Sequence, residues 1–133
     1  MINNNYKHSN LTARIIRCAN TVHTTLKSGY PEKIYQKALA LELKAEGLMF
    51  DEGISIPVYY HNVKIGTRIV NFLVEEIICI EIKAQSVLEN RHLAQTFRYL
   101  DSFNLEVGLL INFGESSLNY KRLSNNNYRK LNL

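Results

Sequence analysis

The chain of 133 residues contains no apolar run near the ~18 residues that a membrane-spanning helix needs. Its first stretch, Met1 to Asn10, carries no apolar segment of the kind found in a secretory leader, so a cytoplasmic protein is the expectation. Cysteine is scarce: Cys18 and Cys79 lack metal-ligand spacing, and each lies in an apolar pattern that marks it as a small core residue. His23, His61 and His92 likewise lack the spacing of zinc ligands. Internal repeats and linkers are missing. With 46% hydrophobic and 21% charged residues the composition is that of a globular protein, and one domain is expected, its core over about residues 9–123 between loose polar ends. There are only two prolines, and each is positional: Pro31 suits the first turn of a helix, whereas Pro57 cannot donate to a ladder and gives its strand an edge position. The net charge of +4 leans toward an anionic partner.

The informative stretch is Thr67 to Lys83, two β-rich runs that meet at a short acidic turn. The second run, from Ile77, is apolar on both faces until Glu81 and Lys83 interrupt it. Alternate strand residues share a face and lie ~7 Å apart, so this carboxylate and this ammonium point into the same space. A buried charge without a partner costs several kcal/mol. Either the two form a structural ion pair, or they belong to a site. A three-residue connection, Glu75 to Ile77, sets Asn71 opposite Glu81; a two-residue connection sets it opposite Ile80. The first register is expected, because it gathers the polar groups on one face and leaves Ile80 and Ile82 to the core.

Around this stretch the periodicities give a helix from Leu11 with Leu11, Ile15, Cys18, Val22 and Leu26 inward, capped by Ser9 or Asn10 and ended by Gly29. Its open face, with Arg14, Arg17 and Lys27, is basic. A second helix begins at Pro31, with Ile34, Ala38, Leu41, Ala45 and Leu48 as its stripe and Glu32 in its first turn, where the helix dipole alone would justify a carboxylate. A strand from Ile54 to Tyr60, a tight turn at His61 and Asn62, and the run from Val63 complete an antiparallel meander with the Ile77 strand. Ser86 and Glu89 have the form of a capping box for a helix whose buried stripe is Leu93, Phe97, Leu100 and Phe103 and whose polar face carries His92, Gln95 and Tyr99. Asn104 closes it, Glu106 to Gly114 reads as a buried strand paired in parallel through the helical crossover, a short strand follows near Leu118 and Tyr120, and the chain from Ser124 reads as a frayed basic tail.

If Glu32, Asn71, Glu81 and Lys83 meet at one end of the sheet, carboxylates and a backbone carbonyl offer the hard oxygen donors that Mg²⁺ prefers, with phosphate oxygens completing the shell. Lys83 could then orient a water or stabilise charge on a phosphate. That constellation suits phosphodiester hydrolysis.

These residues resemble a family. Gly29-Tyr30-Pro31-Glu32-Lys33-Ile34-Tyr35 matches the G-x-x-E-x-x-Y signature of the GxxExxY proteins, which are similar to the PD-(D/E)xK nuclease superfamily. Glu81-Ile82-Lys83 looks like the (D/E)-x-K element of that superfamily, and Gln95 to Tyr99 like the Q-x-x-x-Y motif of its RecB-like branch. The similarity runs from about Leu11 to Leu123. It implies an α/β fold with a three-layer core, a central mixed sheet flanked by helices, and a nuclease using Mg²⁺ or Mn²⁺. By the same resemblance Glu32, Asn71 and Glu81 stand at the metal positions, and Lys83 is the catalytic lysine. Gln95, Tyr99 and Tyr35 then support the site or touch nucleic acid. At one position the chain departs from the family: Asn71 stands where the resemblance implies an aspartate.

Three readings follow. The first is a nuclease acting on DNA, with RNA left open, and the second is a nuclease fold that binds nucleic acid without cutting it, for which Asn71 speaks. The third is a protein-interaction domain, a homodimer included, whose positive charge is an ordinary solvated surface.

Overall fold

The computed structural model describes residues 8–130. Residues 1–7 and 131–133, to which part of the expected loose ends belongs, lie outside the described residues. Helices α1 (Ser9–Leu26) and α2 (Glu32–Ala45) are followed by strands β1 (Phe50–Tyr60), β2 (Val63–Val74) and β3 (Ile78–Lys83). Helix α3 (Asn90–Phe103) then leads to β4 (Val107–Asn112) and β5 (Asn119–Ser124). The five strands lie in the order β1-β2-β3-β4-β5, antiparallel except for the parallel β3–β4 pair that α3 connects. Pro57 is therefore on an edge, and His61 and Asn62, both at positive φ, make the two-residue hairpin turn.

Two apolar layers fill the space on either side of the sheet. Ile15, Cys18 and Val22 of α1 and Tyr35, Leu39 and Leu43 of α2 pack on Phe72, Val74, Ile78, Ile80, Ile82 and Ile111. On the other face Tyr99 and Leu100 of α3 pack on Ile56, Val70 and Cys79. Strands β3 and β4 are covered on both sides, which is why they read as continuous apolar runs.

Both α2 and α3 are turned away from their most apolar stripes. In α2 the inward side is Tyr35, Leu39 and Leu43, leaving Ile34 and Leu41 40% and 70% exposed. Tyr35 decides the rotation: its ring stacks on Phe113 at 4.7 Å, and its hydroxyl donates to the Lys27 carbonyl at the end of α1. In α3 the buried residues are His92, Thr96, Tyr99 and Leu100, while Phe97 stays exposed. The capping box is not Ser86 with Glu89. It is Glu89 with His92, whose Nδ1 accepts the Glu89 N–H at 3.0 Å.

Other boundaries also differ from expectation. Helix α1 ends at Leu26, with the cap residue Lys27, not Gly29, turning the chain out at a positive φ, and no side chain caps its start. Pro31 precedes α2 as its cap residue, and β1 begins at Phe50, so Asp51 to Gly53 lie within the strand. Arg14 and Arg17 are tied to Glu46 at 3.1 and 3.8 Å, which uses two of the cations of the basic face locally. Nor does the chain fray directly after β5. Asn125 donates to the Leu105 and Glu106 carbonyls, and the Asn104 amide is paired with the backbone of Arg129.

Where β3 ends, Asn112 holds the structure together. Wholly buried, it accepts the Gln85 and Gly114 N–H groups and donates to the Gln85 carbonyl and to Glu115. The backbone leaving β3 is thereby clamped against the end of β4 so closely that a Cβ at Gly114 would lie 2.6 Å from the Ala84 carbonyl carbon. Gly114→Ala should cost about 2 kcal/mol or more in urea denaturation, whereas Gly66→Ala, which meets nothing within 4 Å, should stay within about 1 kcal/mol of wild type.

Candidate active site

The β2–β3 ladder runs Val74↔Ile78, Leu73↔Cys79, Phe72↔Ile80 and stops there. This is the register of the three-residue connection, and the next position in it sets Asn71 opposite Glu81. Beyond Phe72 the Asn71 side chain takes over, its Oδ1 accepting the Ile82 N–H at 2.7 Å and its Nδ2 donating to Gln36 of α2 at 2.9 Å. Val70 packs under α3 and Phe72 under α1 and α2, although residues two apart ordinarily share a face. Strand β2 therefore changes faces at Asn71, beside Gly53 of β1, which adopts φ +66. Strand β3, meanwhile, continues with β4 to Lys83. The result is a fork, and Glu81 and Lys83 lie in it.

Glu81 is 4% exposed, with Oε1 3.5 Å from Lys83 Nζ. Its Oε2 is buried and has no hydrogen-bond partner among the described residues. Burial pushes the carboxyl up to about 7, and the negative charge of Glu32 adds to the rise, against the opposing pull of Lys83 and Arg68. Glu32 belongs to the helix pair on the other face of the sheet, yet from the first turn of α2 its charge reaches Glu81 and His92. Gln36, one turn further along α2, makes the bond to Asn71. The start of α2 thus meets the open end of the fork.

Not every expected residue gathers there. Asn71 is in register, but both ends of its amide are already engaged, so it does not present a free donor to the carboxylates. Tyr35 is wholly inside, which excludes contact with nucleic acid and leaves it a supporting role between α1 and α2. Gln95 and Tyr99 do form one group, and a third member joins them. With the Gln95 amide assigned from its hydrogen-bond partners, its oxygen accepts from Arg68 Nε at 3.1 Å and from the Tyr99 hydroxyl at 3.0 Å. Arg68 is in phase with the buried Val70, and a cation in step with a core residue was the available signal. His92 also belongs here rather than to an ordinary polar face. Burial, Arg91 and Lys83 hold its imidazole below the usual histidine range, and with Nδ1 accepting, Nε2 carries the proton.

The donors suit a hard divalent ion. Among the described residues no three His, Cys, Asp or Glu side chains are gathered tightly enough to hold a metal alone. Mg²⁺ is commonly held by one or two carboxylates, with waters and substrate phosphate oxygens completing the shell. An unpaired, buried oxygen on Glu81 beside the field of Glu32 fits that pattern.

An α/β scaffold whose five-stranded mixed sheet is flanked by three helices, with an acid-x-lysine pair where two strands part, is consistent with a nuclease-like fold. A model of the PD-(D/E)XK nuclease superfamily matches residues 9–123, and the chain belongs to that superfamily. No curated protein and no solved structure matches the chain. Among the described residues no helix is long and apolar enough to cross a membrane.

A carboxyl whose pKa rises on folding binds more protons folded than unfolded, so its contribution is intact below about pH 4.5 and lost as pH climbs through about 7. Glu81→Gln cannot ionise. Its stability relative to wild type should rise between about pH 5 and pH 8, by about 1 to 3 kcal/mol in chemical denaturation. A pH-independent difference would refute the burial of an ionisable Glu81.

Proposed function

We propose that the chain is a Mg²⁺- or Mn²⁺-dependent nuclease of the GxxExxY branch that hydrolyses phosphodiester bonds in DNA. Glu81 and Glu32 hold the ion, and Lys83 serves as the catalytic lysine. The observation that carries this reading is the desolvated Glu81 carboxylate, with one oxygen toward Lys83 and the other unpaired. A bound divalent ion supplies Lewis-acid polarisation of the phosphate and a lowered pKa for its water. The rest falls to the side chains. Glu81 is ionised only from about neutral pH upward, so ion binding displaces a proton and strengthens as pH rises through about 7. Lys83, 14% exposed, places its Nζ at the mouth of the fork, where it stabilises charge developing on the phosphate oxygens. The imidazole of His92, neutral and fixed through Nδ1, leaves Nε2–H as a donor on the same side.

A second reading, a nuclease fold that binds nucleic acid without cutting it, is favoured by Asn71. Its amide is neutral and engaged, so the site has one ligand charge fewer than the family's aspartate would give. Asn71→Asp can keep the Ile82 N–H bond with one oxygen and offer the other, with Gln36 rotating its amide to donate.

The deciding experiment incubates the purified chain and its Asn71→Asp variant with linear, circular and single-stranded DNA in Mg²⁺ and in Mn²⁺. Cleavage is expected, at least tenfold faster in Asn71→Asp, and Lys83→Ala should lower it by about 10² or more. No cleavage by either form removes the nuclease reading and leaves the binding one. Calorimetric titration of the ion into both forms should show tighter binding by Asn71→Asp.

A further inference from the structure

Strand β2, having changed faces at Asn71, continues with β1 as a long hairpin that stands over α3. Between hairpin and helix lies a cavity of about 660 Å³. Its lining is mixed: Arg68 and Arg98 are exposed cations that outnumber the one carboxylate, Asp101, while Ile56, Val58 and Ile65 are apolar and Tyr59, 62% exposed, presents an aromatic ring. Arg68 joins this cavity to the fork, because its charge is felt by Glu81 while its guanidinium is oriented by Gln95 and Tyr99.

We infer that this groove binds one strand of DNA, with Arg68 gripping the phosphate next to the one in the fork. The inference rests on the proposed nuclease reading and names the form of its substrate. The mixed lining carries the argument. A duplex shows a protein mainly its phosphates and groove edges and keeps its base faces stacked out of reach. An unpaired strand shows phosphates and bare base faces together, and cations beside an aromatic and aliphatic wall match that pair. Contacts with Gln95 and Tyr99 orient the guanidinium before the strand arrives, which lowers the cost of ordering it.

The test is fluorescence anisotropy of the full chain in EDTA, with a labelled single-stranded oligonucleotide and a blunt duplex of the same length. The single strand should bind at least about tenfold tighter. Arg68→Ala and Arg98→Ala should each weaken that binding several-fold and flatten its salt dependence by about one phosphate contact. Arg68→Lys should recover part of the loss, whereas Gln95→Ala should weaken binding while leaving the salt slope unchanged. Circular dichroism of each variant separates lost binding from lost folding, and the exposed Arg98 gives a second probe if Arg68→Ala does not fold. Equal or tighter duplex binding, unchanged affinity in both arginine variants, or no binding of either DNA at low salt overturns the groove. The outcomes stay distinct from those of the nuclease reading. Strand binding without cleavage in any metal sinks only the nuclease, and cleavage indifferent to both arginines sinks only the groove.

Discussion

Everything distinctive in this molecule depends on where β2 lets go of β3. A ladder carried to the end of β3 would bring a neighbouring strand alongside Glu81 and Lys83. Instead the pairing stops at Phe72, and the Asn71 side chain satisfies the Ile82 N–H. That one bond keeps a buried backbone donor from being orphaned, which would cost about 1 to 3 kcal/mol, and so allows the strands to part. The second end of the same amide ties the point of parting to Gln36 of α2.

The energetics of the fork follow from that geometry. Glu81 sits on a strand covered on both faces, so its charge is poorly solvated, and Lys83 offsets only part of the cost. A carboxylate left in this condition gains from a cation that can reach its unpaired oxygen. The clamp at Asn112 matters for the same reason, since it fixes the backbone just beyond Lys83 and leaves the pair little room to relax. On the far side of the parting, the face change carries the β1–β2 hairpin over α3 and brings Arg68 to Gln95 and Tyr99.

The turned helices show what position within the fold adds to hydrophobicity. In α2 and α3 the inward side is not the greasiest one, because residues with both an apolar body and a polar tip are needed there. Tyr35 closes the end of α1, His92 caps its own helix, and Tyr99 holds an arginine. Hydropathy counts Ile34, Leu41 and Phe97 as the better core residues, and it is blind to hydrogen-bond partners distant in sequence.

By itself the sequence determined the elements and their order, the edge position of Pro57, the parallel crossover and the register that sets Asn71 opposite Glu81. These rest on short-range physics: side-chain period, turn length and ring geometry act within a few residues. It also marked Glu81 and Lys83, because a charge inside an apolar run is anomalous wherever the strand lies. Only the tertiary structure decided that the Asn71 amide is engaged, that Tyr35 is interior, and that Arg68 and His92 stand beside the acids. Each of these depends on contacts between elements far apart in the chain, and a helix or strand can rotate by one residue to make them at little cost to its own periodicity.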